Sequence, residues 1–184
     1  MSTLALEPQR LKPSHLDATT GAGPSWPDAH PSSTLTASPP EQPAQLRQAL
    51  TSARAGQALP PPLAWQLVQA GAATLVDVRS AEEHHFVGHV PGSLHVAWAT
   101  GTGLVRNPRF VRELEAKLGG DKQRPLLLLC RSGKRSALAA EALAKAGFGA
   151  AYQVAEGFEG ERDAHGQRGA SDGWRFHQLP WQQD

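Results

Sequence analysis

Cysteine is nearly missing from this chain, which holds a single one, Cys130, in 184 residues. That excludes an internal disulfide and any cysteine-based zinc site, and it fits a reducing, cytoplasmic setting. Long apolar runs are missing too. None approaches the length that crosses a bilayer, and Met1 to Leu16 has no basic segment followed by an apolar stretch. Neither a transmembrane helix nor a signal peptide is therefore expected, and no membrane partner. Charge of one sign is not in excess either: the formal net charge is +1, and the basic residues are not massed into a face or run. General nucleic-acid binding is excluded on that ground.

Large aliphatics are scarce before residue 44. The first 43 residues mix Pro, Ser, Thr, Ala and Gly, and eleven of the fifteen prolines fall at or before Pro62. Such a stretch cannot bury enough apolar surface to offset its ordering entropy, so residues 1–43 read as a disordered tail and 44–184 as the folded domain. No internal repeat is visible.

From Ala44 the texture changes. Ala44 to Ala55 predicts a short helix stopped by Gly56, and Pro62 to Gly71 a second, with Leu63, Leu67 and Val68 on one face. Thr74 to Arg79 reads as a buried strand, and Ser80 as the N-cap of a helix through Glu82 and Glu83. A turn cluster at Gly88 to Ser93 precedes a strand at Leu94 to Trp98, and Arg109 to Leu118 is helical. Leu126 to Leu129, a helix from Ser136 and a strand at Ala150 to Val154 complete the alternation. Strands alternating with helices imply an α/β fold, a central parallel sheet flanked by helices.

The four leucines 126–129 read as a strand buried on both faces, and Cys130 sits where that strand breaks into Arg131-Ser132-Gly133-Lys134-Arg135-Ser136. In open parallel sheets ligands bind beyond the carboxyl ends of the strands. A thiol there meets backbone N–H groups and the positive end of the following helix, with Arg131, Lys134 and Arg135 adding positive charge. Each feature favours thiolate over thiol, which makes Cys130 the candidate nucleophile rather than a small buried hydrophobe.

Three pieces now stand in register: Leu75-Val76-Asp77-Val78-Arg79 with Glu82, Gly88-His89-Val90-Pro91-Gly92-Ser93, and Cys130 to Ser136. Their order and spacing resemble those of rhodanese domains, from about Leu63 to Trp181. The resemblance implies a three-layer α/β fold and a thiosulfate sulfurtransferase of the single-domain bacterial type. Cys130 would accept a sulfane sulfur as a persulfide and pass it to cyanide, a thiol or a carrier protein. Arg131, Ser132, Gly133, Lys134, Arg135 and Ser136 would cradle the persulfide and an anionic donor such as thiosulfate. No cofactor is implied.

Asp77 and Arg79 lie at a strand end that could face the loop, but a structural role is favoured, with Arg79 pairing Glu82 or Glu83. His84, His85 and His89 invite a metal reading, yet nothing acidic or sulfur-bearing completes a site, so no metal is expected. The loop is not a phosphate-binding Gly-x-x-x-x-Gly-Lys-Ser/Thr motif. Glu156 to Gly173 departs from short members of the family by an inserted polar stretch, either a rim over the site or an ordinary surface loop. Two alternatives remain in view. A cysteine-dependent phosphatase or arsenate reductase would carry five residues between cysteine and arginine, whereas four separate Cys130 from Arg135. A non-catalytic rhodanese-like module that only binds a protein would be expected to lack the cysteine or the basic loop.

Overall fold

The computed structural model describes residues 43–183, and the statements below concern those residues. The tail expected over 1–43 lies outside them, save for Pro43, which opens the first helix. In chain order the elements are α1 (Pro43–Ser52), β1 (Ala58–Leu59), α2 (Pro61–Gln69), β2 (Thr74–Asp77), α3 (Ala81–Val87) and β3 (Leu94–His95). There follow β4 (Ala99–Thr100), β5 (Val105–Arg106), α4 (Phe110–Lys117), β6 (Leu126–Leu129), α5 (Lys134–Lys145) and β7 (Ala151–Val154). None of these helices is long and apolar enough to cross a membrane.

Five strands form one sheet in the order β1-β7-β6-β2-β3, and every neighbouring pair is parallel. The leucine run explains why β6 is its centre. Side chains alternate between the faces of a strand, so Leu126 and Leu128 enter one core while Leu127 and Leu129 enter the other. All four are fully buried. The first core holds Phe110 and Leu114 of α4 with Ala139, Ala140 and Leu143 of α5. The second holds Leu46 and Leu50 of α1 with Ala64 and Leu67 of α2. The expected three-layer α/β architecture is the observed one. Burying a leucine contributes about 1.5–3 kcal/mol, which makes this strand the least replaceable element of the sheet.

Differences from the sequence reading are local. The inward face of α2 is Pro61, Ala64 and Leu67, with Leu63 and Val68 only partly buried at its flanks. The strand expected to reach Trp98 keeps its regular pairing only over Leu94–His95, yet the Val96 and Trp98 N–H groups still donate to the Asp77 and Val78 carbonyls. Asn107, whose N–H donates to the Trp98 carbonyl and whose side chain donates to that of Ala97, then turns the chain toward α4.

Candidate active site

Cys130 extends the alternation of β6 by one step, so its side chain joins the core on the α4/α5 side and is 1% exposed. Gly133, at φ 90° and ψ −25°, takes the left-handed conformation at the N-cap of α5. That conformation suits glycine because it has no Cβ to clash. It turns the Gly133 N–H back onto Cys130 Sγ at 3.1 Å. The Ser136 hydroxyl lies 3.5 Å from the same sulfur and donates to the Gly133 carbonyl at 2.8 Å. The Arg131 and Ser132 N–H groups donate to no acceptor among the described residues. Sequence reasoning expected a ring of donors at the sulfur; one backbone donor reaches it directly, and the others line the same short loop.

A segment from the far side of the sheet braces this loop. The Phe158 and Glu159 N–H groups donate to the Cys130 and Arg131 carbonyls at 2.7 and 3.0 Å. Gly157, at φ 72°, makes that approach feasible: a Cβ there would meet the Cys130 carbonyl oxygen and the Ser132 nitrogen at 2.5 Å. This role was not apparent from sequence, where Gly157 was one glycine of a glycine-rich stretch. Part of the Glu156–Gly173 segment is thus built into the site.

Arg135 does not point freely into the loop. Its guanidinium forms a two-pronged contact with Glu83, at 2.5 and 2.7 Å, and the two side chains are 14% and 16% exposed. Glu83 is also the reciprocal partner in a capping box. Its backbone N–H donates to the Ser80 hydroxyl at 3.3 Å, and its carboxylate accepts from the Ser80 N–H at 3.1 Å. Burial pushes the Glu83 carboxyl up, but Arg135 and the Ser80 N–H outweigh it and hold the group below its usual range. The Arg135 guanidinium is depressed by burial and raised more strongly by Glu83, so it stays charged. Lys134, 81% exposed, faces Glu161 at 3.7 Å. The Arg131 side chain makes no ion pair among the described residues.

Asp77 and Arg79 pair with each other, not with Glu82 or Glu83 as the sequence suggested. Arg79 Nη2 donates to Asp77 Oδ2 at 2.5 Å and to the Gly88 carbonyl at 2.6 Å, and its Nε lies 3.0 Å from both carboxylate oxygens. Both side chains are fully buried. The guanidinium lies 4.0 Å from the centre of the Phe158 ring, so the pair supports the residue whose N–H holds the Cys130 carbonyl. Neither Asp77 nor Arg79 makes a hydrogen bond to Cys130.

The histidines form a stack instead of a chelate. His84 lies flat on His89 at 4.2 Å and against His95 at 4.4 Å, and His95 Nε2 lies 2.9 Å from the Arg79 carbonyl. No group of three or more ligating side chains among the described residues could hold a metal ion. Burial, together with the neighbouring His95, His89 and Arg79, pushes His84 down to about 4 against the pull of Asp77.

The site is thus a cysteine at the carboxyl end of the central strand, followed by a short basic loop that leads into a helix. The family model described as the Rhodanese-like domain matches residues 61–164, more than half of the chain, and the protein belongs to that family. The chain is 33% identical over 112 residues to the uncharacterised protein RP600 of Rickettsia prowazekii, covering 60% of this chain and 83% of that one. It is 33% identical over 109 residues to the senescence-associated protein DIN1 of Raphanus sativus, covering 58% of this chain and 57% of that one. Among solved structures, Rv0390 from M. tuberculosis is 40% identical, with a TM-score of 0.60 over 70% of this chain and 100% of that one.

Proposed function

We propose that this protein is a sulfurtransferase that carries a sulfane sulfur on Cys130, from thiosulfate or a persulfide donor to cyanide, a thiol or a carrier protein. The observation that carries the reading is the Cys130 sulfur held at 3.1 Å by the Gly133 N–H, at the mouth of a loop whose next N–H groups are uncommitted. With thiosulfate, the Cys130 thiolate attacks the outer sulfur. A new S–S bond forms, the bond to the sulfonate sulfur breaks, and its electron pair leaves with sulfite. The persulfide anion then occupies the loop, where backbone N–H groups and the start of α5 stabilise its charge. Attack by the acceptor on the terminal sulfur returns the electron pair to Cys130 Sγ. No outside oxidant or reductant is needed.

The geometry supports a division of labour within the loop. Arg131 and Lys134 are the cations available to draw in a dianionic donor. Arg135, tied to Glu83, fixes the first turn of α5 and so keeps the loop in shape. Ser136 sits beside the sulfur and can turn its hydroxyl from the Gly133 carbonyl to a sulfur anion. The phosphatase alternative needs a wider cradle and an arginine that clamps the phosphate. Here four residues separate Cys130 from Arg135, and the arginine is occupied. The test is mass spectrometry of the full chain after thiosulfate. One added sulfur on Cys130, removed by cyanide and absent in Cys130→Ser, supports the assignment. Full thiosulfate:cyanide turnover by Cys130→Ser would end it, as would efficient aryl phosphate hydrolysis without sulfur transfer.

A further inference from the structure

β3 is the last strand of the sheet and has a neighbour on one side only, β2. The Val96 N–H turns inward to the Asp77 carbonyl. Backbone groups alternate between the two sides of a strand, so those of His95 and Ala97 point away from the sheet. Side chains already occupy their carbonyls: Lys117 Nζ donates to that of His95 at 2.9 Å, and Asn107 Nδ2 to that of Ala97 at 3.0 Å. The Ala97 N–H meets no acceptor among the described residues, and the alternation leaves the His95 N–H on the same open side. This edge therefore offers donors and no free acceptor.

The donors face a groove of about 800 Å³ between β3, the β4–β5 ribbon and α4. Arg106, Arg109 and Lys117 line it against a single carboxylate, Glu113. That carboxylate is engaged, by Asn107 Nδ2 at 2.9 Å and by Arg109 at 3.4 Å. The Arg109 side chain is 77% exposed, and Arg106 lies over the Trp98 ring at 4.7 Å. The groove is thus positive as well as rich in donors. Its strand is anchored, because His95 Nε2 lies 2.9 Å from the Arg79 carbonyl and the ring packs on His84. His95 also stands level with Asp77 and, through it, with Leu129, the residue before Cys130.

We infer that this groove docks an extended, acidic segment of a partner protein, added to the sheet as a strand beside β3. Carbonyls of the segment accept from the His95 and Ala97 N–H groups. Acidic side chains at alternate positions share one face, and on the α4 side they meet Arg109 and Lys117. Covering the edge carbonyls discourages pairing with an arbitrary strand and leaves a segment rich in acceptors as the one that fits. A second copy of this edge does not fit, since donors would stand against donors. A lone small anion would reach one or two cations and leave most of the groove empty. Neighbouring strands lie about 4.8 Å apart, so the docked segment runs about 14 Å from β6. The inference does not depend on the sulfur chemistry of Cys130, and either can fail without the other.

The probe is a fluorescently labelled octapeptide of alternating glutamate and valine, with an octapeptide of alternating lysine and valine as control. Anisotropy with the full chain gives the affinity, and NMR amide exchange follows the His95 and Ala97 N–H groups. The acidic peptide should bind and slow exchange at both amides; the basic one should do neither. Ala97→Pro removes one donor from an open edge, where proline is tolerated, and should weaken binding about fivefold or more. Arg109→Gln should weaken it about two- to fivefold, as the loss of an exposed charge contact does, with the midpoint of thermal unfolding nearly unchanged. Where Ala97→Pro does not fold, Arg109→Gln and the amide measurement carry the test. No binding of the acidic peptide, equal binding of the basic one, undiminished affinity in both variants, or unprotected amides would overturn the inference. Protection of both amides before any peptide is added would overturn it too, by giving the edge to this chain's own residues or to a second copy. Equal protection by free glutamate would overturn it in favour of a simple anion site.

Discussion

Two arginine–carboxylate pairs stand at the carboxyl end of the sheet, and they differ in how far water reaches them. Asp77 and Arg79 are fully buried, two residues apart in sequence, and lie between Gly88 and the Phe158 ring. Glu83 and Arg135 are 52 residues apart and keep 16% and 14% of their side-chain surface exposed. The first pair makes no hydrogen bond to Cys130 and lies against Phe158, whose N–H donates to the Cys130 carbonyl. The second ties the cap of α3 to the first turn of α5, immediately after the cysteine loop. Depth separates the two: the first pair is closed off from solvent, and the second still meets it beside the cysteine loop.

The largest effect should come from breaking the deeper pair. Asp77→Ala leaves the Arg79 guanidinium charged and buried, with the Gly88 carbonyl as its remaining hydrogen-bond acceptor. Removing one partner of a buried pair costs about 3–5 kcal/mol, a large share of the stability of a domain this size. Denaturant unfolding should show that loss, with turnover failing because less protein is folded. A loss below about 1 kcal/mol would mean that the pair is not what holds Gly88 and Phe158 in place.

Glu83→Gln should separate stability from chemistry. The amide still reaches Arg135 and still caps α3, but the charge on the contact is gone. A stability change of about 1.5–3 kcal/mol is the expected size for a hydrogen bond to a charged group. If Arg135 acts by shaping the loop, as proposed, turnover of thiosulfate should fall through kcat more than through KM. A rise in KM alone would place Arg135 back among the anion ligands.

Acid reads the same contrast through two other groups. His84 is pushed down to about 4 from a usual histidine value of about 6.5, mainly by burial. The unfolded chain therefore binds a proton that the folded one refuses between these two values. The stability contributed by the neutral, stacked ring is complete above about pH 6.5 and is lost as pH falls toward 4. Glu83 acts lower: its contribution is present above the ordinary carboxyl range near pH 4.3 and is lost as pH falls through its depressed folded value. His84→Gln should flatten the upper window of the unfolding curve and leave the lower one. An unchanged slope between pH 6.5 and 4 would count against the stack as the source.

Much of the fold was legible in sequence because each signal was local. Four leucines in a row could only alternate between two buried faces, and Ser80 could be read as the N-cap of α3, although its reciprocal partner Glu83 emerged only in the structure. Cys130 was legible because it follows that run directly. The partner of Arg79 was misread even though the signal was present: residues two apart on a strand share a face, which puts Asp77 and Arg79 together. Glu83 and Arg135 carried no such signal, since only the sheet order brings α3 beside α5. The clearance at Gly157 was equally hidden, because it depends on how β7 returns beside β6. Local chemistry could be read from the residues; contacts made across the sheet could not.

The smallest effect expected belongs to Lys134, the most exposed cation of the loop at 81%. Its contact with Glu161, at 3.7 Å, is a surface pair of the kind that contributes about 0–1 kcal/mol. Lys134→Ala should therefore leave the midpoint of unfolding nearly unchanged. Its charge still adds to the field that a dianionic donor meets on approach, so KM for thiosulfate should rise by roughly two- to fivefold, with kcat nearly constant. Added salt should shrink that difference, because an exposed charge is screened over a Debye length of about 8 Å at physiological ionic strength. A fall in kcat that salt does not alter would show that Lys134 stabilises the departing sulfite, and would move it from the approach to the reacting atoms.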